Sequence, residues 1–389
     1  MTRRISAAAA LIGLTLATAA TAEDAPPAAP APPALGPSFS GPMSANAATY
    51  NFDLPVLGKI YAGGVVSGFA QTQSNTIFGD HPSRGDASNA MAIIQKVDGV
   101  VQFYLQAGIY SFPAIGTPYL RATTNTDATF GALPVAFLKI APSANFSIQA
   151  GKLPTLIGAE GVFSFQNINI DRGLLWNQEN IINKGVQVNL TSGKLALNVA
   201  LTDGFYSGKY NWLTGLLTYT LDSANAVAFA GGGSLSYSDR SSFRTPFFLN
   251  NSQMYNLIFT HNSGKWMIQP YLQYTHVPRI RQVASTSADT YGGALLVKYA
   301  ASEHFSIPAR VEYIDSTGKR GSAAPNLLYG QGSNAFSATI TPTYSYKVFF
   351  ARVEANYISA SGITAGSAFD TNGNKKSQVR GLVEIGAVF

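Results

Sequence analysis

From about residue 59 to the C-terminus, nonpolar and polar residues alternate with a period of two. Five consecutive segments begin and end on aromatics eight residues apart: Trp266/Tyr274, Tyr291/Tyr299, Phe305/Tyr313, Phe336/Tyr344 and Phe349/Tyr357. Every position of the same parity inside these pairs is nonpolar, as in Ile268, Pro270, Leu272 or Ile307, Ala309, Val311. The opposite parity carries Gln269, Gln273, Lys298, Arg310, Glu312, Thr339, Thr341, Arg352, Glu354 and Asn356. Successive strand side chains point to opposite faces, so the pattern predicts a sheet with one apolar and one wet side. Eight residues rise ~26 Å along a strand, and a ~40° tilt leaves ~20 Å of height, close to the ~25 Å apolar band of outer-membrane barrels with their aromatic girdles. The expectation is an all-β fold: a transmembrane antiparallel β-barrel.

Strands are predicted over 59–73, 89–97, 100–110, 133–141, 145–152, 184–191, 194–203, 209–221, 226–237, 251–260, 265–277, 289–300, 304–315, 334–344, 347–358 and 378–389. That makes about sixteen, an even number as bacterial barrels require. Gly and Ala blur both faces of the first two. Short turns such as Asp98-Gly99, Ser192-Gly193 and Asn262-Ser263-Gly264 suit tight hairpins. Ser345-Tyr346 is a further short turn without such residues. Longer connections, among them 74–88, 111–132, 153–183, 316–333 and 359–377, alternate with the short ones. This is the asymmetry of short periplasmic turns and long extracellular loops. The last strand places Val379, Gly381, Val383, Ile385, Ala387 and Phe389 on one parity and ends on Phe389, which resembles the C-terminal signal of outer-membrane proteins.

The N-terminus indicates export. Arg3 and Arg4 precede a short apolar run, Ile5 to Leu16, and Ala20-Thr21-Ala22 is an A-x-A cleavage site. Residues 1–22 are therefore expected to be a signal peptide, 23–48 a Pro/Ala-rich periplasmic tether, and 49–389 the barrel. No stretch is long and apolar enough for a membrane-spanning helix. Without Arg3 and Arg4 the chain keeps 24 basic residues of its 26, against 20 acidic ones, a net charge of +4. That mild and unclustered excess does not suggest nucleic-acid binding. Charged residues form 12% of the chain, about half the usual globular share, which a lipid-embedded surface tolerates. The absence of cysteine excludes disulfides and thiolate metal sites.

Candidate chemistry is sparse, and no cofactor or metal is expected. His261 and His304 fall at short turns, His81 in a loop and His276 at a strand end on lipid-facing parity. None has the serine and carboxylate beside it that a barrel hydrolase needs. Asp370, Asn372 and Asn374 mimic the start of a Ca²⁺ loop, but Lys375 and Gly381 stand where Gly and Glu are required. Gly231-Gly232-Gly233 lies inside a strand, where it relieves crowding or marks a bend. Arg310/Glu312 and Arg352/Glu354 are i,i+2 pairs on the inner face, Arg380 and Glu384 share that face, and Lys298 lies on it too. Such wall charges set a field across a pore, or neutralise and brace one another. Segment 153–183 is too apolar for a solvated loop and is expected to fold back onto something.

Gly151-Lys152-Leu153-Pro154 through Gly158-Ala159-Glu160, then Asn169-Ile170-Asp171-Arg172-Gly173 and Asn183-Lys184-Gly185-Val186, resemble the putative β-barrel porin-2 family of Gram-negative outer-membrane porins. The resemblance covers most of 55–389. It implies a non-enzymatic outer-membrane porin that passes small hydrophilic solutes or ions by diffusion. By likeness to general porins, the third long loop would narrow the pore, making Glu160, Asp171, Arg172 and Glu179 constriction candidates. Its partners would be outer-membrane lipid, lipopolysaccharide and two further copies in a homotrimer. Two alternatives stand beside it: a sugar-selective porin with Tyr104 and Tyr271 along a track, and a non-conducting structural or adhesive barrel.

Overall fold

A computed structural model describes residue 43 and residues 49–389. The expected signal peptide and nearly all of the tether lie outside the described residues. The strands are β1 (Tyr50–Leu54), β2 (Gly58–Gln73), β3 (Ser83–Lys96), β4 (Val101–Tyr110), β5 (Val135–Ser143), β6 (Phe146–Pro154), β7 (Ile182–Ser192), β8 (Leu195–Thr202) and β9 (Trp212–Thr220). They continue as β10 (Asn225–Ser234), β11 (Gln253–Ser263), β12 (Trp266–Val277), β13 (Ala288–Ala300), β14 (Phe305–Ser316), β15 (Asn334–Ile340), β16 (Thr343–Tyr346), β17 (Phe349–Ser361) and β18 (Ser377–Val388). All pairings between these strands are antiparallel, and β18 pairs with β2, so the sheet closes. β15 and β16 are two halves of one strand, interrupted at Thr341-Pro342 where proline has no N–H to give the ladder. With β1 a short addition, the molecule is a closed sixteen-stranded antiparallel barrel.

The expected faces are those observed. Val353 and Val383 expose 55% and 43% of their surface outward, while Glu354 and Glu384 beside them are buried. The five aromatic pairs fall into two belts. Trp266 is opposite Tyr299 and Phe305 opposite Tyr344 near the short turns. Tyr274 is opposite Tyr291 and Tyr313 opposite Phe336 towards the long loops. Ring centroids stand 4.7 Å apart in Trp266–Tyr299 and 5.1 Å apart in Tyr274–Tyr291. Membrane-interface aromatics of this kind place an apolar body in lipid and a polar tip in water.

β18 reaches β2 only from Arg380 to Val388, and β1 covers the rest of β2, from Gly58 to Ala62. Between them the Phe389 carbonyl accepts the Gly64 N–H at 2.7 Å, and Phe389 N–H donates to the Gly64 carbonyl at 3.0 Å. A Cβ on Gly63 would lie 2.2 Å from that Phe389 carbonyl oxygen. The seam therefore requires glycine at 63.

Four features depart from the expected pattern. β3 starts at Ser83 rather than 89, because a bulge at Ser67/Gly68 flips the parity and polar residues extend the hairpin past the apolar band. The turn expected at Ser345-Tyr346 lies one pair later, with Lys347 at φ +54°. A short helix α1 (Ala122–Ala128) occupies the second long loop. His276 has a carboxylate neighbour after all: its Nδ1 is 2.7 Å from Asp289 Oδ1, which also accepts the Tyr274 hydroxyl. At the glycine run, a Cβ on Gly232 would meet Thr214 Oγ1 at 2.7 Å, in keeping with relief of crowding.

Candidate functional site

Segment 153–183 leaves β6 and returns into β7 without forming a ladder of its own. Its ends are tied by Thr155 N–H to the Ile181 carbonyl at 3.1 Å and by Thr155 Oγ1 to Asn180 Oδ1 at 2.7 Å. Two 3₁₀ turns, Ser164–Gln166 and Trp176–Gln178, give it shape. Buried N–H and C=O groups must find partners, and here inward-facing wall side chains supply them. Glu354 accepts the N–H of Ile170 at 2.6 Å and of Asp171 at 3.0 Å. Glu312 accepts the N–H of Leu174 at 3.0 Å, while Glu160, on the segment itself, accepts that of Gly173.

The carbonyls go to arginines. Arg310 donates to the Asp171 carbonyl at 2.9 Å, and Arg352 to those of Asn167 and Ser164 at 2.9 and 3.1 Å. Charge closes the same contacts: Arg310 pairs with Glu160, Arg380 with Asp171 at 3.0 Å, and Arg352 with Glu384. Arg380 also reaches Gln73 and the Ala114 carbonyl, each at 3.0 Å. Asn169 donates to Thr341 Oγ1, and Asn356 to Asp171 Oδ2 at 2.8 Å.

Ten of the eleven sequence-predicted residues thus meet in one buried network. Arg172 stands on it without a carboxylate partner. It donates to the carbonyls of Val162 and Pro113 and lies over the rings of Phe112 and Trp176, 5.6 and 5.2 Å from their centroids. Lys298 is apart, half-buried near the short turns. Of the two i,i+2 pairs only Arg310–Glu312 touches, at 3.1 Å. Arg352 instead meets Glu384, directly opposite it on β18, which leaves Glu354 free for the segment's N–H groups. Glu179 accepts the Tyr271 hydroxyl, and among the described residues it has no cation within ion-pair distance. Burial pushes its carboxyl up to about 8, and burial likewise raises that of Glu160 against the pull of Arg310.

Apolar contacts complete the docking. Leu156, Ala159 and Leu175 join a cluster with the wall residues Ala200, Leu216, Ala228, Ile258, Ala294 and Leu296. These inward apolar positions break the wet-face rule, and the segment's own apolar residues cover them. The neutral partners Thr341, Ser337, Gln273 and Gln178 went unselected in the sequence. Their inward parity marked Thr341, Ser337 and Gln273, but nothing distinguished them from other polar wall positions. Tyr104 and Tyr271, the residues of the sugar-track alternative, are both buried, Tyr271 bonded to Glu179 and Gln273, and Tyr104 to Gln106.

Residues 59–389 match the family model described as "Putative beta-barrel porin-2, OmpL-like". The chain belongs to this family. It is an outer-membrane porin by family and architecture, and these point to a channel rather than an enzyme. No curated protein sequence matches it. Among solved structures it is similar in fold to an anion-selective porin from Comamonas acidovorans (TM-score 0.58, 10% identity, 85% of this chain and 99% of that one). The outer-membrane channel DcaP of Acinetobacter baumannii is similar too (TM-score 0.57, 13% identity, 87% and 99%). So is OmpF of Salmonella typhi (TM-score 0.56, 10% identity, 87% and 100%).

Proposed function

We propose that this porin passes small hydrophilic solutes by passive diffusion through a lumen narrowed by segment 153–183. Barrels of this strand number enclose more space than wall side chains fill, and the reading puts the aqueous path beside the segment. The observation that carries the reading is reciprocal bonding: wall carboxylates take the segment's N–H groups while wall arginines take its carbonyls and carboxylates. Hydrogen bonds to charged groups contribute roughly 1.5–3 kcal/mol each, so several together hold the segment in one place. The wall charges on this reading position the constriction first and shape its field second. By family resemblance the porin assembles as a homotrimer.

The test is single-channel conductance in planar bilayers of the native protein and of a variant with residues 161–168 replaced by a short Gly-Ser link. Heat-modifiable electrophoretic migration verifies that the variant barrel is folded. The reading expects conductance to rise severalfold. A folded variant with native conductance would show that the segment does not limit flow.

A further inference from the structure

Two lysines on the outer wall occupy an unfavourable place. On β6 the outward parity runs Ile148, Ala150, Lys152, and on β7 it runs Val186, Lys184 towards the same rim. Ile148 and Val186 are exposed to lipid at 39% and 47%. Lys152 and Lys184 are directly opposite in the strand register. Like charges so placed repel one another, yet a third cation joins them. Arg244, from the loop after β10, has its guanidinium carbon 4.8 Å from the centre of the Tyr206 ring. Lys184 Nζ is 4.4 Å and Lys152 Nζ 5.7 Å from that same ring. Tyr206 holds this position at φ +57°, a left-handed backbone that a tyrosine adopts at a cost.

Asp203 is the acidic neighbour. Its side chain is fully buried and already committed: it accepts the N–H groups of Lys184 at 2.7 Å and Gly208 at 3.0 Å, and lies 3.3 Å from Lys184 Nζ. Lys152 Nζ donates to the Phe130 and Leu133 carbonyls at 3.2 and 2.8 Å, and Arg244 to the Thr129 carbonyl. These neutral partners cancel no charge, so three cations against one carboxylate leave an excess of two. Lys184 remains one-third exposed and Arg244 is exposed. The cluster thus stands at the long-loop rim, with its two lysines on the outward parity of the wall at the upper edge of the apolar band.

We propose that Lys152, Lys184 and Arg244, gathered on Tyr206, form a site for a phosphate group, supplied by the headgroup of a phosphorylated glycolipid in the outer leaflet. A phosphate offers several acceptor oxygens to converging donors and removes the repulsion between the lysines. Basic clusters beside a membrane bind anionic headgroups in this way. The outward direction favours a lipid over a solute, because a solute bound here would not lie on a path through the barrel.

The test compares retention of bis-phosphorylated lipid A by the full-length folded protein in detergent, read by native mass spectrometry, with retention of the same lipid after dephosphorylation. Variants are Lys152→Gln, Lys184→Gln, Arg244→Gln and their combination, with Lys265→Gln at a short turn as control. Each charge removed is expected to weaken retention roughly fivefold, and the triple variant on the order of a hundredfold. Lys265→Gln and millimolar inorganic phosphate are expected to leave it unchanged. Equal retention of both lipids by the native protein would overturn the proposal and does not depend on any variant folding. Native retention by the folded triple variant would overturn it too. Displacement by inorganic phosphate would assign the site to a free anion and refute the lipid source.

Discussion

At the scale of single residues, Glu179 is the clearest case of environment overriding chemistry. It is buried, accepts one hydroxyl, and among the described residues has no cation within ion-pair distance. Its folded-state carboxyl is held at about 8, well above the ~4.3 of an unfolded glutamate. The folded protein therefore binds more protons between those values, and stability falls as pH rises through that window, levelling above it. Glu179→Gln is expected to flatten this dependence, so that the native protein loses melting temperature between about pH 5 and 8 relative to the variant. Parallel melting curves would contradict the assignment. Glu354 does the opposite work, as an acceptor for two N–H groups of the segment. Glu354→Ala leaves both unpaired at a cost of about 1–3 kcal/mol each. Hydrogen exchange at 169–175 is expected to quicken accordingly, with β12 and β13 unaffected.

At the scale of elements, alternation was the legible signal. The sixteen expected strands all exist, most with bounds within three residues, because lipid on one side and polar contacts on the other enforce period two. The misses share a cause: local features that parity does not encode. A bulge at Ser67/Gly68 shifted the phase of β2 against β3. The helix Ala122–Ala128 is rich in Thr, Asn and Asp, residues of poor helix propensity, and lacks a side-chain cap. Its sequence therefore gives no helical signal. The network around 153–183 was half legible. Parity placed the wall arginines and carboxylates inward, and apolarity said the segment must be covered. Partner choice was not legible, since Arg352 finds Glu384 across the seam-side hairpin rather than its i,i+2 neighbour. Val353 tests the lipid face itself, being midway between Phe349 and Tyr357 and exposed at 55%. Val353→Arg is expected to destabilise the folded barrel by roughly 2–4 kcal/mol in a bilayer urea titration. A change near zero would mean that the position does not meet hydrocarbon.

At the scale of the whole molecule, the outer and inner faces answer different demands. The outer face satisfies lipid by being apolar between two aromatic belts. The inner face holds a segment of the same chain through charges that no lipid could solvate. Closure at the seam, with β1 and Phe389 both against β2, makes the wall continuous so that those charges stay inside. The chain contains no cysteine, so a pair introduced by substitution gives the only thiols present. Asn169 and Thr341 join the segment to the wall through a single side-chain hydrogen bond of 2.6 Å. The decisive measurement is oxidative cross-linking of the double variant Asn169→Cys, Thr341→Cys in native outer membranes, followed by conductance of the cross-linked protein. The account predicts near-complete cross-linking and a conductance close to that of the native channel. Thiols that stay free in folded barrels would place the segment away from the wall and contradict it.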